Sequence, residues 1–139
     1  MKNVVLNFKS IQQVGDQRDV IEFMSVAEVE ENEKGIVLTY EENITDNQPG
    51  VHSKVAVNKD GSVCINRSGG FGGELFIEQG KRHLCSYVTP YGDMTIGIFG
   101  DYVKSNIIDG TGNLEMQYSI DVNSGLLSKN KVEIRISEE

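Results

Sequence analysis

Two imidazoles and two thiols, His52, His83, Cys64 and Cys85, are the only such groups in the chain. A cysteine nucleophile would need one of these histidines beside it. His83-Leu84-Cys85 places a histidine and a cysteine on one face of an extended segment, a spacing that suits two metal ligands, with Cys64 able to join from another strand. The plainer reading is a surface histidine beside a packed thiol, and no metal is expected. No Gly-x-Ser-x-Gly elbow occurs. Glu41 and Glu42 are neighbours on an extended segment and face opposite ways, so they do not form the carboxylate pair of a glycosidase. No twelve-residue calcium loop is present. The acidic stretches Glu28 to Glu33 and Ser137-Glu138-Glu139 read as solvated charge. No residue is assigned a catalytic role and no cofactor is expected.

Gly69-Gly70-Phe71-Gly72-Gly73 is the most conspicuous string. A phosphate loop needs Lys-Ser/Thr and then a helix after its glycines. Here Glu74-Leu75-Phe76-Ile77 follows, which reads as a strand. The string is expected to be a hairpin connection or bulge, the rival being a mobile lid over a barrel mouth.

The elements that position these groups are strands. Ile21, Phe23, Ser25, Ala27 and Val29 fall on one face by period-2 alternation, as do Val51, Ser53, Val55 and Val57. Leu114, Met116, Tyr118, Ile120 and Val122 alternate with polar residues, and so do Val132, Ile134 and Ile136. Turn residues separate these runs at Gly15-Asp16, Asn32 to Gly35, Asn58 to Gly61, Glu78 to Gly80, Asp109 to Gly112 and Asn123 to Gly125. No long window carries helical periodicity, and Phe99 to Tyr102 leaves room for one short turn. About ten strands in an even meander are expected to close, because open edges and large twisted sheets are unfavourable. The expected fold is all-β: residues 1–139 as one antiparallel barrel of about eight to ten strands with little helix.

Composition narrows the partners. Apolar residues make up 38% and charged residues 24%, ordinary for a globular domain. The net charge of −8 and the scattered lysines and arginines oppose binding to phosphate backbones. No apolar run approaches a membrane helix. The first nine residues lack the apolar core of a signal peptide, so a cytoplasmic protein with reduced thiols is expected.

Parity then brings polar residues to strand ends. Glu42 shares a face with Ile36, Leu38 and Tyr40, Arg67 with Val63 and Ile65, and Tyr87 with Cys85 and Thr89. If these faces are inward, three polar side chains point into the barrel. Buried charge is costly unless paired, so Arg67 needs a carboxylate, and Glu42 is the nearest by parity. Tyr87 would add a hydrogen bond. Tyr118, on the apolar face of its strand, completes the candidate ligand-binding set. The trio either plugs one barrel end or presents Arg67, whose planar fork suits a carboxylate or phosphate, to an anionic ligand.

Tyr40-Glu41-Glu42, Ile65 to Gly69 and Tyr87-Val88-Thr89-Pro90-Tyr91-Gly92, with the Tyr118 strand, resemble the YwiB-like family of small bacterial proteins, a domain of unknown function. The resemblance spans nearly the whole chain. It implies a lipocalin-like (calycin-like) barrel without an assigned activity. The chain departs from lipocalins and biotin-binding barrels in having no tryptophan. The expected role is non-enzymatic: a barrel that holds a small ligand at one mouth. The alternative is a packed barrel that binds a protein partner or a second copy, and a hydrolase is a distant third.

Overall fold

The computed structural model describes residues 2–42, 51–68, 72–89, 92–123 and 125–139, without the side chains of residues 42, 51, 68, 72, 88 and 89. Ten strands follow one another: β1 (Lys2–Val14), β2 (Gln17–Asn32), β3 (Gly35–Glu42), β4 (Val51–Asn58), β5 (Val63–Ser68), β6 (Gly72–Ile77), β7 (Arg82–Thr89), β8 (Gly92–Ile108), β9 (Thr111–Val122) and β10 (Gly125–Glu138). Each pairs antiparallel with its sequence neighbours, and β1 pairs with β10 to close the barrel. The period-2 pattern and the hairpin turns therefore produce the all-β meander that they imply. No described residue is helical.

The short turn allowed at Phe99 to Tyr102 is absent. β8 continues through that segment as a strand, and its register against β9 shifts between Gly100 and Tyr102. The physical reason is a crowded corner: a Cβ at Gly100 would lie 2.4 Å from the Glu78 carbonyl oxygen. A bulge with glycine beside it lets the strand bend there without leaving the sheet.

Alternation decides what faces inward. Val4, Leu6, Val29, Leu38, Val57, Val63, Ile77, Ile98, Leu114 and Ile136 are buried and fill the barrel half near the β2–β3, β4–β5 and β8–β9 turns. Toward the other end the inward positions turn polar: Ser10, Ser25, Tyr40, Ser53, Arg67, Tyr118, Ser128 and Asn130. Asn130 Nδ2 donates to Ser128 Oγ at 3.0 Å, which satisfies part of this polarity internally.

The wall has one weak seam. Among the described residues the β6–β7 ladder consists of Gly72 opposite Val88 and Gly73 opposite Tyr87. A Cβ at Gly73 would sit 2.4 Å from the Ser86 carbonyl oxygen, so a residue without a side chain is needed for this approach. Farther along the seam the Phe76 N–H donates to the Cys85 sulfur at 3.4 Å instead of to a carbonyl.

Candidate functional site

The polar half of the interior is open. A chamber of about 600 Å³ lies inside the wall, lined on one side by Phe8, Ile21, Phe23 and Tyr40 and on the other by Ile65, Arg67, Leu75, Met116 and Tyr118. Such a volume suits one small organic molecule. The aromatic rings of Phe8 and Phe23 stack at 4.7 Å, and Tyr40 lies 6.2 Å from Phe23, so these three form an ordered apolar wall. A second depression of about 610 Å³ lies on the outer face among Lys9, Glu22, Glu115, Glu133 and Arg135. Charges of both signs compensate each other there, and it lacks the chamber's enclosure.

Arg67 reaches the chamber because parity on β5 puts it with Val63 and Ile65 on the inward face. It is half-buried, and its Nε is fully shielded from solvent. Directly across the β4–β5 ladder stands Ser53, which is completely buried and itself faces Tyr40 across β3–β4. Its Oγ has no hydrogen-bond partner among the described residues. A buried hydroxyl without a partner is unusual and costs roughly 1–3 kcal/mol.

Tyr118 is buried, and its phenol pKa is pushed up to about 12. Burial is the main cause; the nearby Tyr87 phenol adds to it and the Arg67 guanidinium opposes it. Arg67, Tyr87 and Tyr118 are thus electrically within reach of one another, as the parity of three separate strands requires. Tyr87 itself is half-buried against the core and does not line the chamber. Glu42 ends β3 with its backbone opposite Val51, and its side chain lies outside the described residues, as does the expected pairing with Arg67. Gly69, Gly70 and Phe71 also lie outside them, and with them the lid reading of the glycine string.

Sequence reasoning missed the wall. Phe23, Tyr40 and Ser53 were visible on apolar faces and Phe8 was assigned to none, but nothing in the alternation distinguishes a residue that lines a void from one packed in a core. Serines on otherwise apolar faces, Ser10, Ser25 and Ser53, were the available signal.

The histidine–cysteine pair performs other work. His83 Nε2 lies 2.9 Å from Glu78 Oε1, its ring meets Phe76 edge-on at 4.6 Å, and Glu78 is held below the usual carboxylate range chiefly by that hydrogen bond. Cys64 donates to Glu74 Oε1 at 3.6 Å, and burial together with that carboxylate pushes its thiol up to about 11. Both cysteines are free thiols. Among the described residues no three histidine, cysteine or acidic side chains gather as a metal site, so Cys64 does not join His83 and Cys85. Among the described residues no helix is long and apolar enough to cross a membrane.

Comparison with known proteins adds a family and a fold. The chain is similar to the crystal structure of the ywiB protein from Bacillus subtilis, with a TM-score of 0.79 and 19% identity over 96% of this chain and 91% of that one. At that identity the likeness shows the fold alone. No curated protein matches the chain. A family model described as Domain of unknown function (DUF1934) matches residues 6–134. By that match, which takes in all but the chain ends, the protein belongs to the DUF1934 family.

Proposed function

We propose that this barrel is a non-enzymatic binding protein that holds one small organic anion in its half-open interior. The observation that carries the reading is the chamber of about 600 Å³, mostly apolar in its lining, into which a half-buried arginine enters from β5; Ser10, Ser25 and the exposed Glu41 also border it. A guanidinium has five N–H donors in a fixed fork, so it can hold a protein partner and still donate to a bound acid. Tyr118, protonated throughout the physiological range, offers a phenol donor from β9. Apolar walls give the affinity and the cluster around Arg67 gives orientation.

The test uses 8-anilinonaphthalene-1-sulfonate, an aromatic sulfonate whose fluorescence rises in apolar sites. The parent protein is expected to bind one equivalent. Arg67→Ala is expected to weaken binding by roughly ten- to a hundredfold, the loss of one hydrogen bond to a charged group. Arg67→Lys should recover part of it, because the charge returns without the fork. Equal binding by parent and Arg67→Ala would overturn the assignment of Arg67, and no binding by the parent would overturn the chamber itself.

A further inference from the structure

β2 is longer than its neighbour on one side. It pairs with β1 from Gln17 to Val29, but with β3 only from Ala27 to Asn32. The ten residues Gln17 to Val26 therefore have a ladder on one side only among the described residues. Natural sheets blunt such an edge with proline, a bulge or charged side chains, lysine above all. Gln17 to Val26 contains no proline, glycine or lysine and its register against β1 has no shift; its charges are of both signs, Arg18, Asp19 and Glu22. It also exposes large apolar side chains, with Val20 at 48%, Ile21 at 60% and Met24 at 70%.

The edge is complementary to itself when reversed. β1 and β2 meet in a two-residue hairpin, with Val14 opposite Gln17. That closing pair exchanges hydrogen bonds, so by alternation the N–H and C=O groups of Arg18, Val20, Glu22 and Met24 point away from β1. Their side chains share the outer face of the barrel, the face of exposed Met24. A two-fold axis through Val20 sets Arg18 of each copy opposite Glu22 of the other. Within its own chain Arg18 has no ion pair among the described residues, and Glu22 has Lys9 at 3.8 Å. The second copy's Arg18 places Glu22 between two cations, once on each side of the axis. A two-fold axis through Glu22 instead would set that carboxylate against its own copy.

We infer that this protein forms a symmetric dimer through antiparallel pairing of the Gln17 to Phe23 edges of two β2 strands, centred on Val20. The pairing satisfies the edge's backbone groups that no described strand pairs, buries Val20 against its counterpart and joins two barrels by one continuous sheet. Because Ile21 and Met24 also border the interior chamber, the second copy covers the flank of that chamber.

Sedimentation velocity across a wide concentration range reads the assembly, and cysteine cross-linking reads the register. The parent protein is expected to sediment as a dimer, and Val20→Lys, which sets two like charges face to face, as a folded monomer. Arg18→Glu is expected to weaken the dimer at least tenfold, and Arg18→Glu/Glu22→Arg to restore it in part. Val20→Cys is expected to cross-link with a short bis-maleimide, since paired Cα atoms on the axis lie about 5.5 Å apart. Met24→Cys is more exposed yet is not expected to cross-link, because eight residues of offset separate the two copies by roughly 27 Å. The parent protein, carrying Cys64 and Cys85 alone, serves as the blank. A parent that sediments as a monomer at every concentration overturns the inference, and so does a dimer for which Met24→Cys cross-links and Val20→Cys does not.

Discussion

Burial holds the Tyr118 phenol protonated up to about 12, whereas a tyrosine in an unfolded chain ionises near 10. Between those values the folded state keeps a proton that the unfolded state has lost. The associated stability is fully present below pH ~10 and is lost as pH rises toward 12. Tyr102, raised to about 12 by burial and by its hydrogen bond to Glu115 at 2.8 Å, shares that window. The urea midpoint is therefore expected to fall through this range, and to fall less steeply in Tyr118→Phe. A Tyr118→Phe profile that superimposes on the parent would remove Tyr118 from this account. Arg67 illustrates the same dependence on surroundings. Its parity was legible in Val63-Cys64-Ile65-Asn66-Arg67, but its half-burial follows from what stands across the ladder.

At the scale of elements, the seam between β6 and β7 is the weakest part of the wall. Its ladder is short, one amide is spent on a sulfur, and Gly73 permits the approach that remains. Local opening occurs where few backbone bonds and few apolar contacts oppose it. Amide hydrogens of β6 that face β7 are expected to exchange sooner than those in the long β1–β2 and β8–β9 ladders. Gly73→Val should speed that exchange further and destabilise the protein by about 1–3 kcal/mol, since the new side chain meets backbone. Slow, uniform exchange around the barrel would contradict a seam. The turn residues that Gly15, Gly61, Gly80 and Asp109 announce were legible because positive φ restricts residue type. Bulges were not, since Gly100 looks in sequence like any turn glycine.

The whole molecule is packed at one end and open at the other, and that division is measurable. Leu38 is fully buried in the apolar half, while Leu75 lines the chamber. Truncating a packed leucine leaves a cavity and costs roughly 2–5 kcal/mol, with the cost depending on how much empty space results. Leu38→Ala is expected in the upper part of that range and Leu75→Ala at or below its lower end, by urea unfolding. Equal losses would mean that the polar half is as tightly packed as the apolar half. The same division separates the binding reading, which needs the chamber, from dimerisation, which needs only the edge of β2.

Alternation and turn chemistry in this sequence determine a ten-strand antiparallel meander, because side-chain direction in a strand is a local property with period two. They also determine which residues of β3, β5, β7 and β9 point inward, and hence that Arg67 and Tyr118 share one interior. Closure through β1 and β10 could be anticipated from the cost of open edges, but its register could not, since Val4 and Glu138 meet across almost the full length of the chain. Only the tertiary structure decided that part of the interior is a chamber, that Ser53 is buried beside Arg67 and Tyr40, and that among the described residues the β2–β3 ladder stops at Ala27. Each of these depends on strand lengths and offsets summed around a closed ring. A period-2 pattern records the face of each residue and carries no information about its height in the barrel.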